Sequence, residues 1–280
     1  MALQLALFDQ SELAPSLRVV GRAEVSRKSD APMVRPASGF LKAFDFALNP
    51  YHGCAFGCTY CYAKHFVAED EKKIGWGTWV SVKGALGPLE KLSGATVYIG
   101  SATDPYQPLE ATEQITRRVL ETLLQLRTPP RVVIQTRSPL VLRDADLLSR
   151  FPFRRVNLSI TTDSESVRRE FESSCPSIFR RMEAAERLVE LGIPVGICVA
   201  PMLPIQEPVR FASTLRGLRA QRYGLSWFHR DRGTFAAGTD REVMERLREI
   251  GWTELEFQRA SRILRVELPL MAKGNVFDPE

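Results

Sequence analysis

Three cysteines fall within eight residues, and this cluster constrains the chain more than any other feature. The segment reads Asn49-Pro50-Tyr51-His52-Gly53-Cys54-Ala55-Phe56-Gly57-Cys58-Thr59-Tyr60-Cys61-Tyr62-Ala63-Lys64-His65. Cys-x3-Cys-x2-Cys delivers three thiolates from one short turn. Gly53 and Gly57 let the backbone wrap a compact metal centre. Soft thiolates select zinc, copper(I) or an iron–sulfur cluster. A cubane normally takes four cysteines. With three, one iron is open to a ligand from outside the protein, and an open position is what a catalytic metal needs. His65, four residues after Cys61, keeps a Cys3His zinc site open as the alternative.

The remaining cysteines are Cys175 and Cys198, and an odd total of five argues against a disulfide framework. No apolar stretch reaches the roughly 20 residues of a membrane span. Met1 to Phe8 is apolar but stops at Asp9 and has no basic flank, so it does not read as a signal peptide. The expected compartment is the cytoplasm. A chain of 280 residues buries most of its unfolded surface, so the fold does not depend on a metal. The net charge of +5 is a weak pointer to an anionic partner.

Residues 1–40 read as an irregular N-terminal extension. Beyond them, apolar runs predict six main strands: Ala43–Leu48, Thr96–Gly100, Arg131–Gln135, Arg155–Ile160, Val195–Ala200 and Leu225–Phe228. A minor strand is expected at Thr78–Val82. Helical spacing places helices at Glu113–Leu126, Val141–Ser149, Ser177–Leu191 and Val209–Arg219, with shorter ones near Ala63–Ala68 and Pro88–Leu92. Arg241–Ile250 and Glu254–Leu264 read as terminal helices. Strands alternating with helices imply an α/β fold with a parallel sheet. Six units fit an open, curved barrel or a doubly wound sheet. Either puts reactive chemistry beyond the strands' C-terminal ends, where the cysteine loop follows the first strand.

Cys54-x3-Cys58-x-Tyr60-Cys61 resembles the signature of the radical S-adenosylmethionine (SAM) superfamily. The longer string from Asn49 to Ala63 is similar to the subgroup related to spore photoproduct lyase, often called DNA-repair-photolyase-like. Further matching strings are Thr103-Asp104-Pro105-Tyr106-Gln107-Pro108-Leu109-Glu110, Thr136-Arg137-Ser138-Pro139-Leu140 and Ser159-Ile160-Thr161-Thr162. The likeness covers about residues 40–230. It implies a partial (β/α)6 barrel, set at 41–235, and the two terminal helices make 236–280 a helical segment. It also implies a [4Fe–4S] cluster on Cys54, Cys58 and Cys61, with SAM on the open iron. Reductive cleavage of SAM then gives a 5′-deoxyadenosyl radical that takes hydrogen from a substrate. A low-potential electron donor such as flavodoxin or ferredoxin is implied as a partner.

By the same resemblance, Tyr60 packs at the SAM adenine, and Ser101, Thr103 and Asp104 meet its ammonium. Arg137 meets its carboxylate, Ser159 and Thr161 contact ribose or carboxylate, and Arg181 is a further candidate. Spore photoproduct lyases carry a hydrogen-donating cysteine just after the second strand, whereas Ser101-Ala102-Thr103-Asp104 has none. That departure puts lyase chemistry of this type in question. Cys198, on the fifth strand, is the candidate replacement donor, weighed against a small buried core thiol. His52 and His229 are polar candidates, each balanced by a structural role. Arg18, Arg22, Arg27, Lys28, Arg35 and Lys42, with Arg210, Arg216, Arg219, Arg222, Arg230 and Arg232 near Tyr223, Trp227 and Phe228, suit phosphate contact with base stacking. Solvated helix faces explain the same pattern. DNA or RNA therefore stands as a substrate class beside a peptide or small metabolite. A non-catalytic zinc- or cluster-bearing nucleic-acid-binding protein is the competing reading.

Overall fold

The computed structural model describes residues 18–228, 239–268 and 276–279. The elements run β1 (Arg18–Val20), β2 (Ala23–Pro32), β3 (Val34–Pro36), β4 (Phe46–Leu48), β5 (Tyr51–Gly53), α1 (Glu69–Ile74), β6 (Trp79–Ala85), β7 (Thr96–Ile99), α2 (Glu110–Glu113) and α3 (Ile115–Leu124). They continue β8 (Arg131–Thr136), α4 (Ala145–Leu148), β9 (Arg154–Ser159), α5 (Glu165–Phe171), α6 (Ile178–Glu190), β10 (Val195–Val199), α7 (Pro208–Gly217), β11 (Arg222–Leu225), α8 (Arg241–Glu249) and α9 (Glu254–Glu267).

The larger sheet has the order β11-β10-β9-β8-β7-β4-β3. The six strands from β4 to β11 pair in parallel, and β3 closes one edge antiparallel to β4. The two edge strands, β3 and β11, are not paired with each other among the described residues, so the barrel is open. Strand alternation sorts its two faces. Ile99, Ile134, Val156, Leu158 and Ile197 join the main apolar core. Against this face pack Val119 and Leu123 of α3 and Ala185 and Leu188 of α6. The alternate residues Tyr98, Gln135 and Ser159 face an inner cavity.

The floor of the lumen is closed by residues 276–278. Buried Arg155 donates to the carbonyl of Val276 at 2.8 Å and to that of Asp278. Asn157 donates to the same Val276 carbonyl at 3.0 Å. Phe277 packs against Phe40, with ring centres 5.6 Å apart, and joins a small cluster with Leu41, Phe44, Tyr98 and Val133.

A second sheet, β1-β2-β6-β5, corrects the expectation of an irregular extension before residue 40. The strand β2 reads as mostly polar, so it carries no apolar alternation. Its order comes from parallel pairing with β6, which carries the buried Val80 and Val82. The sixth parallel strand runs Arg222–Leu225 rather than Leu225–Phe228. The aromatic pair Trp227 and Phe228 belongs to the loop beyond it, where Trp227 borders the cavity and packs on Phe257 while Phe228 packs on Tyr60. Helix α3 starts at Ile115 because Gln114 adopts a left-handed φ of 50° after the short α2. Among the described residues no helix is long and apolar enough to cross a membrane.

Candidate active site

The cysteine loop leaves β4, passes through β5 and crosses the C-terminal end of the parallel sheet. Pairing of β5 with β6 sets its entry, with Gly53 opposite Val80. Gly53 has a φ of 81°, and a Cβ there would stand 2.7 Å from the Trp79 carbonyl. Gly57, at a φ of 55°, meets Gly77 backbone to backbone. Only residues lacking a Cβ let the loop turn this close to its neighbour.

The loop after β7 clamps the cysteine loop. Thr103 donates its hydroxyl to the Gly53 carbonyl at 2.6 Å. Gln107 accepts from the Ala55 N–H at 2.8 Å and donates to Thr103 at 3.1 Å. The Tyr51 hydroxyl bonds the buried Glu110 carboxylate, which also accepts the Thr116 N–H at 3.0 Å at the start of α3. Asn49 reaches the Ser101 hydroxyl at 3.0 Å and accepts from the Ala102 N–H at 2.9 Å. The string from Ser101 to Glu110 therefore fixes the loop as well as facing the cavity.

Cys54, Cys58 and Cys61 line one cavity of about 310 Å³. Burial pushes the Cys54 thiol up to about 12 and the Cys61 thiol up to about 11. Cys58 differs. It accepts from the Cys175 thiol at 3.6 Å and from the Arg137 guanidinium, and these contacts hold it below the usual thiol range. Among the described residues no three ligating side chains converge on a point suited to a single metal ion. A cubane takes each thiolate at a separate iron, so it requires only that three sulfurs face one space. The buried, protonated pair also suits metal-driven loss of protons, because ligation stabilises the thiolate. The donor set therefore fits an iron–sulfur cluster. His65 does not complete a Cys3His zinc set: its Nε2 lies 2.9 Å from Asp240, and it is not on the cavity wall.

Tyr60, Ser101, Thr103, Asp104, Arg137 and Ser159 line the same cavity. Their polar atoms are already engaged. Asp104 accepts from the Tyr106 N–H at 2.9 Å, the Thr136 hydroxyl at 2.6 Å and the Arg137 N–H at 2.8 Å. Burial nonetheless raises its carboxyl above the ordinary value. Ser159 accepts from Gln135 at 2.8 Å. Thr161 and Arg181 stand behind the wall, fully buried, around Glu172. Glu172 accepts from Thr161 at 2.9 Å and from the Tyr60 hydroxyl, and pairs with Arg181 at 2.6 Å. Burial alone would raise its carboxyl, but Arg181 and Arg137 outweigh burial and hold it at about 2. Cys198 also lies behind the wall, its thiol 3.4 Å from the Gln135 amide oxygen that accepts from Tyr98.

Sequence reasoning missed Gln107, Gln135, Glu172 and Tyr62. The first belongs to a quoted string, yet a glutamine carries no distinctive signal. Glu172 lies at the end of α5, an unexpected helix. His52 is paired with Glu71 at 2.8 Å, away from the cavity. His229, Arg230 and Arg232 lie outside the described residues. The side chains of Arg18 and Lys28 also lie outside the described ones, and none of the remaining basic residues named for phosphate contact lines the cavity. Arg27 pairs with Glu113 at 2.8 Å and Arg216 with Glu267 at 2.9 Å. Among the described residues, Asp104 and Arg137 supply the cavity's charged side chains.

The radical SAM superfamily model matches residues 48–216, more than half of the chain and all three thiols. The chain belongs to the radical SAM superfamily. Members of this superfamily use a [4Fe–4S] cluster and SAM. The chain is 33% identical over 161 residues to an uncharacterized protein of Methanocaldococcus jannaschii, covering 57% of this chain and 61% of the relative. It is 26% identical over 207 residues to an uncharacterized protein of Mycobacterium tuberculosis, covering 70% and 60%. It thus spans about three fifths of the length of these relatives. A variant of spore photoproduct lyase superposes with a TM-score of 0.58 at 14% identity, over 88% of this chain and 79% of the other. Another, with bound AdoMet and dinucleoside spore photoproduct, gives 0.55 at 15% identity, over 81% and 75%. These likenesses establish a shared fold, the partial barrel.

Proposed function

We propose that this radical SAM protein is an enzyme that removes a hydrogen atom from a substrate carrying a planar base, with nucleic acid as the class. The observation that carries the catalytic part is the single cavity shared by Cys54, Cys58, Cys61 and Arg137. When bound, the two cofactors supply reductive cleavage of a sulfonium and a carbon radical that can take hydrogen from substrate. The three thiols would hold the cluster. Arg137, with a planar fork of donors, suits the SAM carboxylate. Tyr60 is fixed in the wall by Glu172 and by edge contact with Phe228, ring centres 6.1 Å apart, where it can bound an adenine. Ser101, Thr103 and Asp104 are assigned to the ammonium side. Thr161 and Arg181 act through Glu172 and Tyr60 as positioning residues. Phe277 and Leu41 pack with Phe44, Tyr98 and Val133 on the far side of the lumen, which limits water there and protects a reactive radical.

The substrate class rests on the aromatic lining. Phe40, Tyr62, Trp76 and Trp227 border the cavity and offer ring faces and edges suited to stacking. The likeness to a lyase carrying a dinucleoside photoproduct supports the same class by analogy of fold. Cys198 would act as hydrogen donor only through a rearrangement of Gln135.

Anaerobic reconstitution tests this reading. A brown protein with near four iron and sulfide, converting SAM to 5′-deoxyadenosine after reduction, is the expected result. Transfer of deuterium from labelled oligonucleotides into that product would identify the substrate class. A colourless protein that holds zinc and leaves SAM intact would overturn the catalytic reading in favour of a metal-clipped binding protein.

A further inference from the structure

Cys175 is a fourth thiol that cluster chemistry does not require. Its Sγ lies 3.6 Å from that of Cys58, and the two are 117 residues apart in sequence. Both backbones are held. The Thr59 N–H, next to Cys58, donates to the Phe171 carbonyl at 3.0 Å. The Cys175 N–H donates to the Glu172 carbonyl at 2.9 Å, and the Cys175 carbonyl accepts from Arg168 at 2.9 Å. These bonds lock the segment between α5 and α6 onto the cysteine loop beside the two sulfurs. A disulfide needs S–S contact at about 2.05 Å, so closure asks for a shift of roughly 1.5 Å.

Cys58 also lines a second cleft of about 380 Å³, on the wall that Thr59, Phe171, Lys64 and Arg246 share. It thus borders two spaces, the inner cavity and this outer cleft. A small oxidant entering the cleft would reach a wall that includes Cys58, whose sulfur lies 3.6 Å from that of Cys175.

We propose that Cys58 and Cys175 form a reversible disulfide when the cluster is absent, and that this bond blocks cluster assembly until it is reduced. The inference rests on the reading of Cys58 as a cluster ligand. The oxidant class is a peroxide. The Cys58 sulfur attacks the peroxide O–O bond, becomes a sulfenic acid and releases one water. The Cys175 sulfur then attacks the sulfenic sulfur, forms the S–S bond and releases a second water. Two thiols are oxidised by two electrons and one hydrogen peroxide is reduced to two waters. A dithiol reverses the bond by exchange and takes up the oxidation itself. The pairing spares Cys58 from irreversible oxidation while the cluster is missing.

The test uses the full-length metal-free protein and hydrogen peroxide. Intact mass spectrometry should show the loss of two hydrogens. Peptide mapping should join the fragments bearing Cys58 and Cys175, and dithiothreitol should restore both thiols. Oxidised protein should fail to take up iron and sulfide until that reduction. The variant Cys175→Ser should load iron when untreated and yield no such cross-linked peptide. Cross-links confined to Cys54, Cys58 and Cys61, or unhindered iron uptake by protein carrying the Cys58–Cys175 bond, would overturn the proposal. The two readings fail separately. Protein that loads a cluster when untreated but never forms this link with peroxide sinks the switch alone. Protein that forms the link with peroxide but, when untreated, binds only zinc sinks the cluster reading, and with it the assembly block.

Discussion

The Gln107 side chain accepts the Ala55 N–H at 2.8 Å, so a residue of the loop after β7 holds the backbone between Cys54 and Cys58, two of the thiols proposed to hold the cluster. Gln107 is fully buried and also donates to Thr103, which bonds Gly53. Gln107→Ala should leave a buried N–H unpaired and cost about 1–3 kcal/mol. Thermal unfolding and iron content after reconstitution should both fall. Gln107→Glu keeps the acceptor and should recover part of the loss. Unchanged melting and iron content in the alanine variant would contradict the clamp.

Gly53→Ala should be costlier than Gly21→Ala. Both positions have positive φ, 81° and 63°, and so share backbone strain of about 1–3 kcal/mol. Only at Gly53 does the new methyl meet a backbone carbonyl, that of Trp79 at 2.7 Å, whereas Gly21 has open space. Denaturant titration of the two variants isolates the contact. Equal losses would show that the close approach does not constrain the loop.

The Glu172–Arg181 pair should be a strong local determinant of stability, since both side chains are fully buried. Glu172→Gln leaves Arg181 uncompensated and should cost about 3–5 kcal/mol. Glu172→Gln combined with Arg181→Met should cost less than the single change. The pH dependence follows from the depressed carboxyl. Its folded value of about 2 lies below the ordinary 4.5. Its contribution is therefore complete above about pH 4.5 and is lost as pH falls toward 2. Over that window the wild type should lose more stability than the double variant. Parallel acid unfolding curves would contradict the assignment.

Arg137→Ala should leave iron loading largely intact while weakening SAM binding by about 10–100-fold, the loss of one charge-assisted contact. Arg137→Lys should recover only part, because a point charge lacks the planar fork. Titration of the reconstituted protein with SAM, followed by absorbance, reads the effect. Equal affinity in all three proteins would remove Arg137 from the SAM site.

Most of the barrel was legible because β7, β8 and β10 carry short apolar runs between helical stretches, and β9 keeps Val156 and Leu158 in alternation. The sixth strand was displaced because Trp227 and Phe228 are apolar for a different reason: one borders the cavity and the other packs on Tyr60. The small sheet was hidden because β2 derives its order from β6, 55 residues away at the Ser26–Ser81 hydroxyl contact. Local patterning carries no trace of such pairing. In the site, Cys54, Cys58 and Cys61 stood out through spacing. Arg181 did not reach the cavity because its charge balances Glu172, a residue whose role exists only in three dimensions. The Cys58–Cys175 contact likewise joins positions that no motif connects.

The central claim is that three thiols hold a [4Fe–4S] cluster with one iron open to SAM. Electron paramagnetic resonance of the reduced, anaerobically reconstituted protein tests it most directly. The account predicts a [4Fe–4S]⁺ signal whose g-values shift on SAM addition, and a loss of that signal in Cys58→Ala. A spectrum unmoved by saturating SAM, or a protein that holds zinc and shows no cluster signal, would contradict it.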